Sequence, residues 1–186
     1  MILLYISILW LSITLFMAFM EDGATIEIST KAYCNVDREI AYNEYLSIEN
    51  YYTSLSKGHH QYLIQDKNWE NGGKIKIIES AGFQTVTHHY KIKKRIKNEI
   101  VHLISEESKI TILGIIKNTN QSEAIFTFDI NGNGSILGLI IKITFPSKLR
   151  QILASSVFTK LIWQHHANME MKQLSRELES RHLASA

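Results

Sequence analysis

The chain has one cysteine, Cys34, and one proline, Pro146, in 186 residues. A lone thiol cannot form an internal disulfide, so a cysteine framework, a zinc ribbon and a thioredoxin motif are all excluded. With one proline and nine glycines, long disordered linkers are not expected. An excess of either charge is also lacking: 20 Lys and Arg stand against 18 Asp and Glu, a formal +2. That balance leaves no broad electrostatic footprint for nucleic acid. The local signatures of common catalysts are missing too. There is no GxSxG elbow, Walker loop, GxGxxG turn, HExxH or CxxC.

One long apolar run is present. Ile2 to Met20 carries no charge. As a helix at about 1.5 Å per residue it spans roughly 28 Å, close to a bilayer core of about 30 Å. No Lys or Arg precedes it, and Ala18-Phe19-Met20 is a poor cleavage site. The run therefore reads as an uncleaved single-pass anchor in preference to a secretory signal or a buried core helix. Residues 1–22 are expected to be this anchor or signal, and 23–186 a folded domain. The flanking charges favour a domain outside the cytoplasm.

The remainder alternates. Thr25 to Thr30 has the period of a strand. Asn35 or Asp37 can cap a helix with Val36, Ile40, Ala41 and Tyr45 roughly on one face. A helical turn over Ile48 to Leu55 ends near Gly58. Short alternating runs follow, including His60, Tyr62 and Ile64, then Phe83 to Ile96. Turns are expected at Asn71-Gly72-Gly73, Glu106-Glu107-Ser108, Asn118 to Gln121 and Asn131 to Gly134. About seven strands joined by short connections predict an antiparallel meander. From Ser147 to His182 the sequence predicts one long helix. Its apolar stripe runs through Leu149, Ile152, Leu153, Val157, Leu161, His165 and Met169. Such a helix cannot bury its stripe alone, and the greasy face of a sheet this size needs a cover.

This order resembles the helix-grip fold of the SRPBCC superfamily, which includes START lipid-transfer domains, polyketide cyclases and birch-pollen-allergen-type proteins. The residues that carry the resemblance are the Thr25–Thr30 strand, Asn35-Val36-Asp37 entering a helix, the Asn131–Gly134 hairpin, and Phe145-Pro146-Ser147 entering the last helix. Tyr51-Tyr52 stand where many members have a Trp-containing loop. The resemblance implies an α+β domain whose curved antiparallel sheet wraps a C-terminal helix and encloses a cavity for a lipid, an isoprenoid or another apolar molecule. Some members are cyclases or hydratases, and fold alone does not assign a reaction.

Histidines occur in three adjacent pairs, His59-His60, His88-His89 and His165-His166, with His102 and His182 single. Adjacent strand residues face opposite ways, so each strand pair offers one imidazole to a common site. No carboxylate cluster is evident beside them, and neither a metal site nor a cofactor is expected. The candidate ligand-binding residues are His88, Tyr90, His102, Phe126, Phe128, Val157, Leu161 and His165, with no assigned catalytic residue. The expected function is membrane-tethered binding of an apolar molecule through an anchor at residues 2–20. A cyclase or hydratase using His88 or His102, and a protein-interaction module with a collapsed cavity, are the alternatives.

Overall fold

The computed structural model describes residues 2–19, 24–156 and 158–185. Helix α1 (Ile2–Phe19) precedes strand β1 (Thr25–Cys34) and helix α2 (Arg38–Tyr45). A short 3-10 turn (Ile48–Asn50) and helix α3 (Tyr52–Leu55) lead to β2 (His59–Ile64). Strands β3 (Lys74–Ala81), β4 (Gln84–Ile96), β5 (Ile100–Ile112), β6 (Ile116–Asn131) and β7 (Gly134–Thr144) follow, then α4 (Lys148–Ser156) and α5 (Thr159–Ser185).

The seven strands form one antiparallel sheet in the order β1-β7-β6-β5-β4-β3-β2. Consecutive strands are neighbours from β2 to β7, as short connections require, and β1 closes on β7. Helix α2 starts where Asp37 accepts the Glu39 backbone N–H at 2.7 Å, a side-chain cap on an otherwise orphaned donor. Tyr42 and Tyr45 on α2 pack against Phe126 and Phe128 of β6, with centroids 4.9–5.4 Å apart. Ile26, Ile28, Leu103, Leu137, Met171, Leu174 and Leu178 complete a core with almost no exposure. Full burial of one such side chain contributes about 1.5–3 kcal/mol.

Three local expectations are corrected. Glu106-Glu107-Ser108 does not turn the chain: β5 runs through it with a register shift between Ser105 and Ser108. Asn118 to Gln121 likewise lies inside β6, and the β5–β6 connection is at Leu113-Gly114-Ile115. Polar residues mimic turns here because a long, twisted ladder absorbs them at a bulge. Third, β2 does not bury His60. A shift between His59 and Gln61 turns His59, Tyr62 and Ile64 inward and leaves His60 exposed.

The C-terminal helix is two helices. Phe158 has φ +55°, a left-handed conformation between the end of α4 at Ser156 and the start of α5 at Thr159. The expected stripe is not the buried one on either helix: Leu149 and Leu153 are exposed on α4 and Leu161, His165 and Met169 on α5, while Gln151, Ala154, Trp163, Ala167, Glu170, Met171, Leu174 and Leu178 are buried.

The α1 helix packs on α4, and the Trp10 indole N–H donates to the Ser156 carbonyl at 3.1 Å. Most of its apolar side chains, among them Leu3, Ile6, Leu9 and Phe16, are exposed. Among the described residues, no helix is long and apolar enough to cross a membrane. The anchor expected over residues 2–20 gains no support from the structure. Met20 lies outside the described residues.

Candidate functional site

Two features stand out, one a pocket and the other a buried polar cluster. The pocket has a volume of about 930 Å³ and lies between β4–β6 and the α4–α5 corner. Ile110, Ile112, Phe145, Leu153 and Ala154 give it an apolar lining, and Lys109, Lys117 and Arg150 add positive charge. The hairpin tip beside it exposes Leu113, Ile115 and Ile116.

The cluster is built from one edge of the sheet, β2 and β3, and from α5. Glu79 takes the inward parity of β3 together with Ile75 and Ile77. His59 is turned inward by the β2 irregularity, and His166 and Glu170 sit one turn apart on the sheet-facing side of α5. One ligand atom from each of these four residues can be chosen so that all lie within 4.8 Å of one another. Gly58 lets this approach happen. A Cβ there would collide with the Ser80 carbonyl oxygen and come within 3.2 Å of His166 Cε1.

Hydrogen bonds fix the orientation of the parts. His59 Nδ1 lies 3.0 Å from the Tyr52 carbonyl oxygen. A carbonyl only accepts, so Nδ1 carries the proton and Nε2 presents a bare lone pair. That Nε2 has no hydrogen-bond partner and points at Glu170 Oε2, 4.0 Å away. The Tyr52 ring stacks on His59 at 4.0 Å, and its hydroxyl donates to Glu79 Oε2 at 3.0 Å. His166 Nε2 is 3.5 Å from the same oxygen, and His88 Nε2 is 3.5 Å from Glu79 Oε1. On its far side His88 Nδ1 meets Ser108 Oγ at 2.8 Å and Ser122 Oγ at 3.1 Å, and Ser122 donates to the Tyr90 hydroxyl.

Burial and charge act against each other here. Burial pushes the Glu170 carboxyl up to about 8, with the neighbouring Glu79 adding to the rise. Burial also works to raise Glu79, but His166 and His88, each 3.5 Å from one of its oxygens, outweigh it and hold that carboxyl low. Burial pushes His59 down to about 4. For His166 burial is overcome by the Glu79 contact, and its value rises.

Two hydrogen bonds and a ring contact lead from the pocket to the cluster. Thr159 lines the pocket and accepts from Gln84 Nε2 at 3.1 Å. The Trp163 indole N–H donates to Gln84 Oε1 at 2.8 Å, and its ring meets that of His166 edge-on at 5.3 Å.

Of the residues nominated from the sequence, His88, Tyr90, Phe126 and Phe128 face the interior. His102 does not. Val101, Leu103 and Ser105 take the buried parity of β5, and His102 lies on the other face, 3.9 Å from Glu123. The half-buried Ile100 and Ile104 beside it made that face look like the inner one. Leu161 and His165 lie on the exposed side of α5, as Leu149 and Leu153 do on α4, and His166 is the inward member of its pair. Val157 lies outside the described residues. Glu79 and Glu170 were missed, although both left a signal: Glu79 shares the parity of Ile75 and Ile77, and His166 with Glu170 has the i, i+4 spacing that shares a helix face.

No family model matches the chain, and no curated protein matches it in sequence. Solved structures do match. Ara h 8.0201 is 10% identical with a TM-score of 0.55, covering 84% of this chain and 99% of its own. TTHA0849 from Thermus thermophilus is 12% identical with a TM-score of 0.56 over the same shares. The Zhui aromatase/cyclase from Streptomyces sp. R1128 is 8% identical with a TM-score of 0.52, covering 84% of this chain and 95% of its own. At these identities the likeness concerns architecture, and it agrees with the sheet order and the terminal helix: the chain has the helix-grip fold of the SRPBCC proteins.

Proposed function

We propose that the chain binds an apolar small molecule, a lipid, an isoprenoid or a similar compound, in the pocket between the sheet and the C-terminal helices. The observation that carries this reading is the pocket itself. Its volume of about 930 Å³ falls within the range of ligand sites, and its walls combine an apolar part, Ile110, Ile112, Ile116, Phe145, Leu153 and Ala154, with threonines and basic side chains. Apolar burial supplies the affinity at roughly 25 cal/mol per Å², less the cost of ordering. Lys109, Lys117 and Arg150 suit a ligand with a polar or anionic end. The proposal includes a bilayer-side location, with attachment through residues 2–20 and the domain on the extracytoplasmic side. In support, α1 exposes apolar side chains and packs on α4, a wall of the pocket. Sequestration or transfer of a bilayer-soluble compound is the role that fits.

The test is mass spectrometry of the full chain after gentle extraction, paired with Ala154→Phe, which fills the pocket. A co-purifying apolar molecule that disappears in the folded variant is expected. A wild-type chain that carries and accepts no apolar compound refutes the reading.

A second reading, an enzyme of the cyclase or hydratase kind, is favoured by the buried imidazole–carboxylate cluster and by the aromatase/cyclase among the structural neighbours. The Thr159–Gln84–Trp163 chain leads from the pocket to that cluster. Turnover that survives loss of His166 would rule out the cluster as its centre.

A further inference from the structure

We propose that His59, Glu79, His166 and Glu170 form a binding site for one divalent transition-metal ion of the zinc class. The site is separate from the apolar pocket and does not depend on the ligand-binding reading.

The donor set is two imidazoles and two carboxylates, the nitrogen and oxygen ligands that such ions take. Their atoms lie within 4.8 Å of one another. Four ligands at about 2.0–2.2 Å from a tetrahedral ion are roughly 3.3–3.5 Å apart, so a contraction of about 1 Å closes the set. Two long side chains, Glu79 and Glu170, can absorb that movement.

The stronger observation is the lone pair of His59. The Tyr52 carbonyl fixes the proton on Nδ1, so Nε2 offers electrons, and it offers them to a carboxylate oxygen 4.0 Å away. Two acceptor atoms aimed at each other inside a protein core call for a positive centre between them, a proton on Glu170 or a metal ion that takes its place. The His59 side chain has no exposure, and Nε2 has no hydrogen-bond partner. His166 Nε2 is also without one. A divalent cation would also let both carboxyls, Glu79 and Glu170, carry their charge in the same dry space.

The outer contacts are those that metal sites use. An imidazole ligand donates its other N–H to a backbone carbonyl, as His59 does to Tyr52. A ligating carboxylate is itself held, as Glu79 is by the Tyr52 hydroxyl and, at 3.5 Å, by His88. His88 is in turn seated on Ser108 and Ser122. Tyr52 thus orients two ligands at once, through its carbonyl and its hydroxyl.

With all four positions taken by the chain the set is closed, so the ion's role is structural: it ties β2, β3 and α5 together at one point.

The experiment uses the full chain, stripped with a chelator and titrated with Zn²⁺, with metal content read by elemental mass spectrometry and Co²⁺ absorption reporting ligand geometry. One tightly held ion per chain is expected. His59→Gln and Glu170→Gln should each weaken binding by at least about tenfold, and His165→Ala, altered at the exposed neighbour, should leave it unchanged. Should the ligand variants fail to fold, Tyr52→Phe keeps the stacked ring and loses only the hydroxyl, with an expected loss of about 10–100-fold. A folded wild-type chain with no stoichiometric ion, or full affinity in the folded variants, overturns the site. A fluorescent apolar probe is titrated in parallel. Probe binding without metal defeats this inference alone, and metal binding without probe defeats the ligand-binding reading alone.

Discussion

Gly58→Ala is the smallest change that should disturb both the fold and the cluster. Gly58 does not have a positive φ, so any cost of alanine there is steric. The added methyl meets the Ser80 carbonyl oxygen and lies 3.2 Å from His166 Cε1. The Ser80 oxygen is backbone and cannot swing away, so β2 must shift from β3. Overpacking of this kind costs about 1–3 kcal/mol. The Ser80 N–H bond to the Gly58 carbonyl, 2.7 Å, is strained or lost at about 1 kcal/mol more. Restricting the unfolded chain returns about 0.4–1 kcal/mol. The net loss is about 1–3.5 kcal/mol, a fall in Tm of roughly 2–14 °C for a chain of this length. Urea unfolding at constant m-value measures it. Gly114→Ala is the control: its φ is +72° with nothing within 4 Å of the added carbon, so it should cost about 1–2 kcal/mol of backbone strain and leave Zn²⁺ affinity alone. Gly58→Ala should also weaken Zn²⁺ binding, because the methyl presses on His166. Equal stability to wild type, or a loss of stability with unaltered metal affinity, would refute the packing argument.

Further outcomes follow from individual side chains. Ala154→Phe should abolish binding of an apolar fluorescent probe while far-UV circular dichroism stays native, since Ala154 is buried and lines the pocket. Cys34 is buried, and desolvation raises its thiol above the usual range. It should resist alkylation at neutral pH until denaturant is added, as mass spectrometry of iodoacetamide-treated protein would show. Burial lowers His102 below 6.5 in the folded chain, so on acidification the unfolded state takes its proton first. Its share of stability is present above about pH 6.5 and is lost as pH falls through the lower folded value. His102→Gln should flatten the stability curve in that window, measured by urea titrations at successive pH values.

Strand parity was readable where the ladder is regular. His88 and Tyr90 face inward on β4 as alternation from Val86 requires, and the sheet order follows from short connections. Legibility ended where the buried face is not the one the pattern suggests. The irregularity at His59 reverses which member of the first histidine pair is buried, and for the last pair the sequence's most apolar stripe, with Leu149, Leu153, Leu161 and Met169, is the exposed side of the helices. The irregularity is not encoded as a Gly or Pro, the usual marks of such a break. The four-residue cluster was out of reach for a further reason. It joins positions 59, 79, 166 and 170, and only the sheet order combined with the correct phase of α5 brings them together.

The left-handed step at Phe158 also divides labour along the C-terminal arm. The segment before it, α4, borders the oily chamber, whereas the segment after it, α5, delivers the imidazole and carboxylate. A substitution at Leu153 or Ala154 therefore falls on a different helix from His166 and Glu170. On the proposed readings, the two sites can be altered by separate sets of mutations within one small domain.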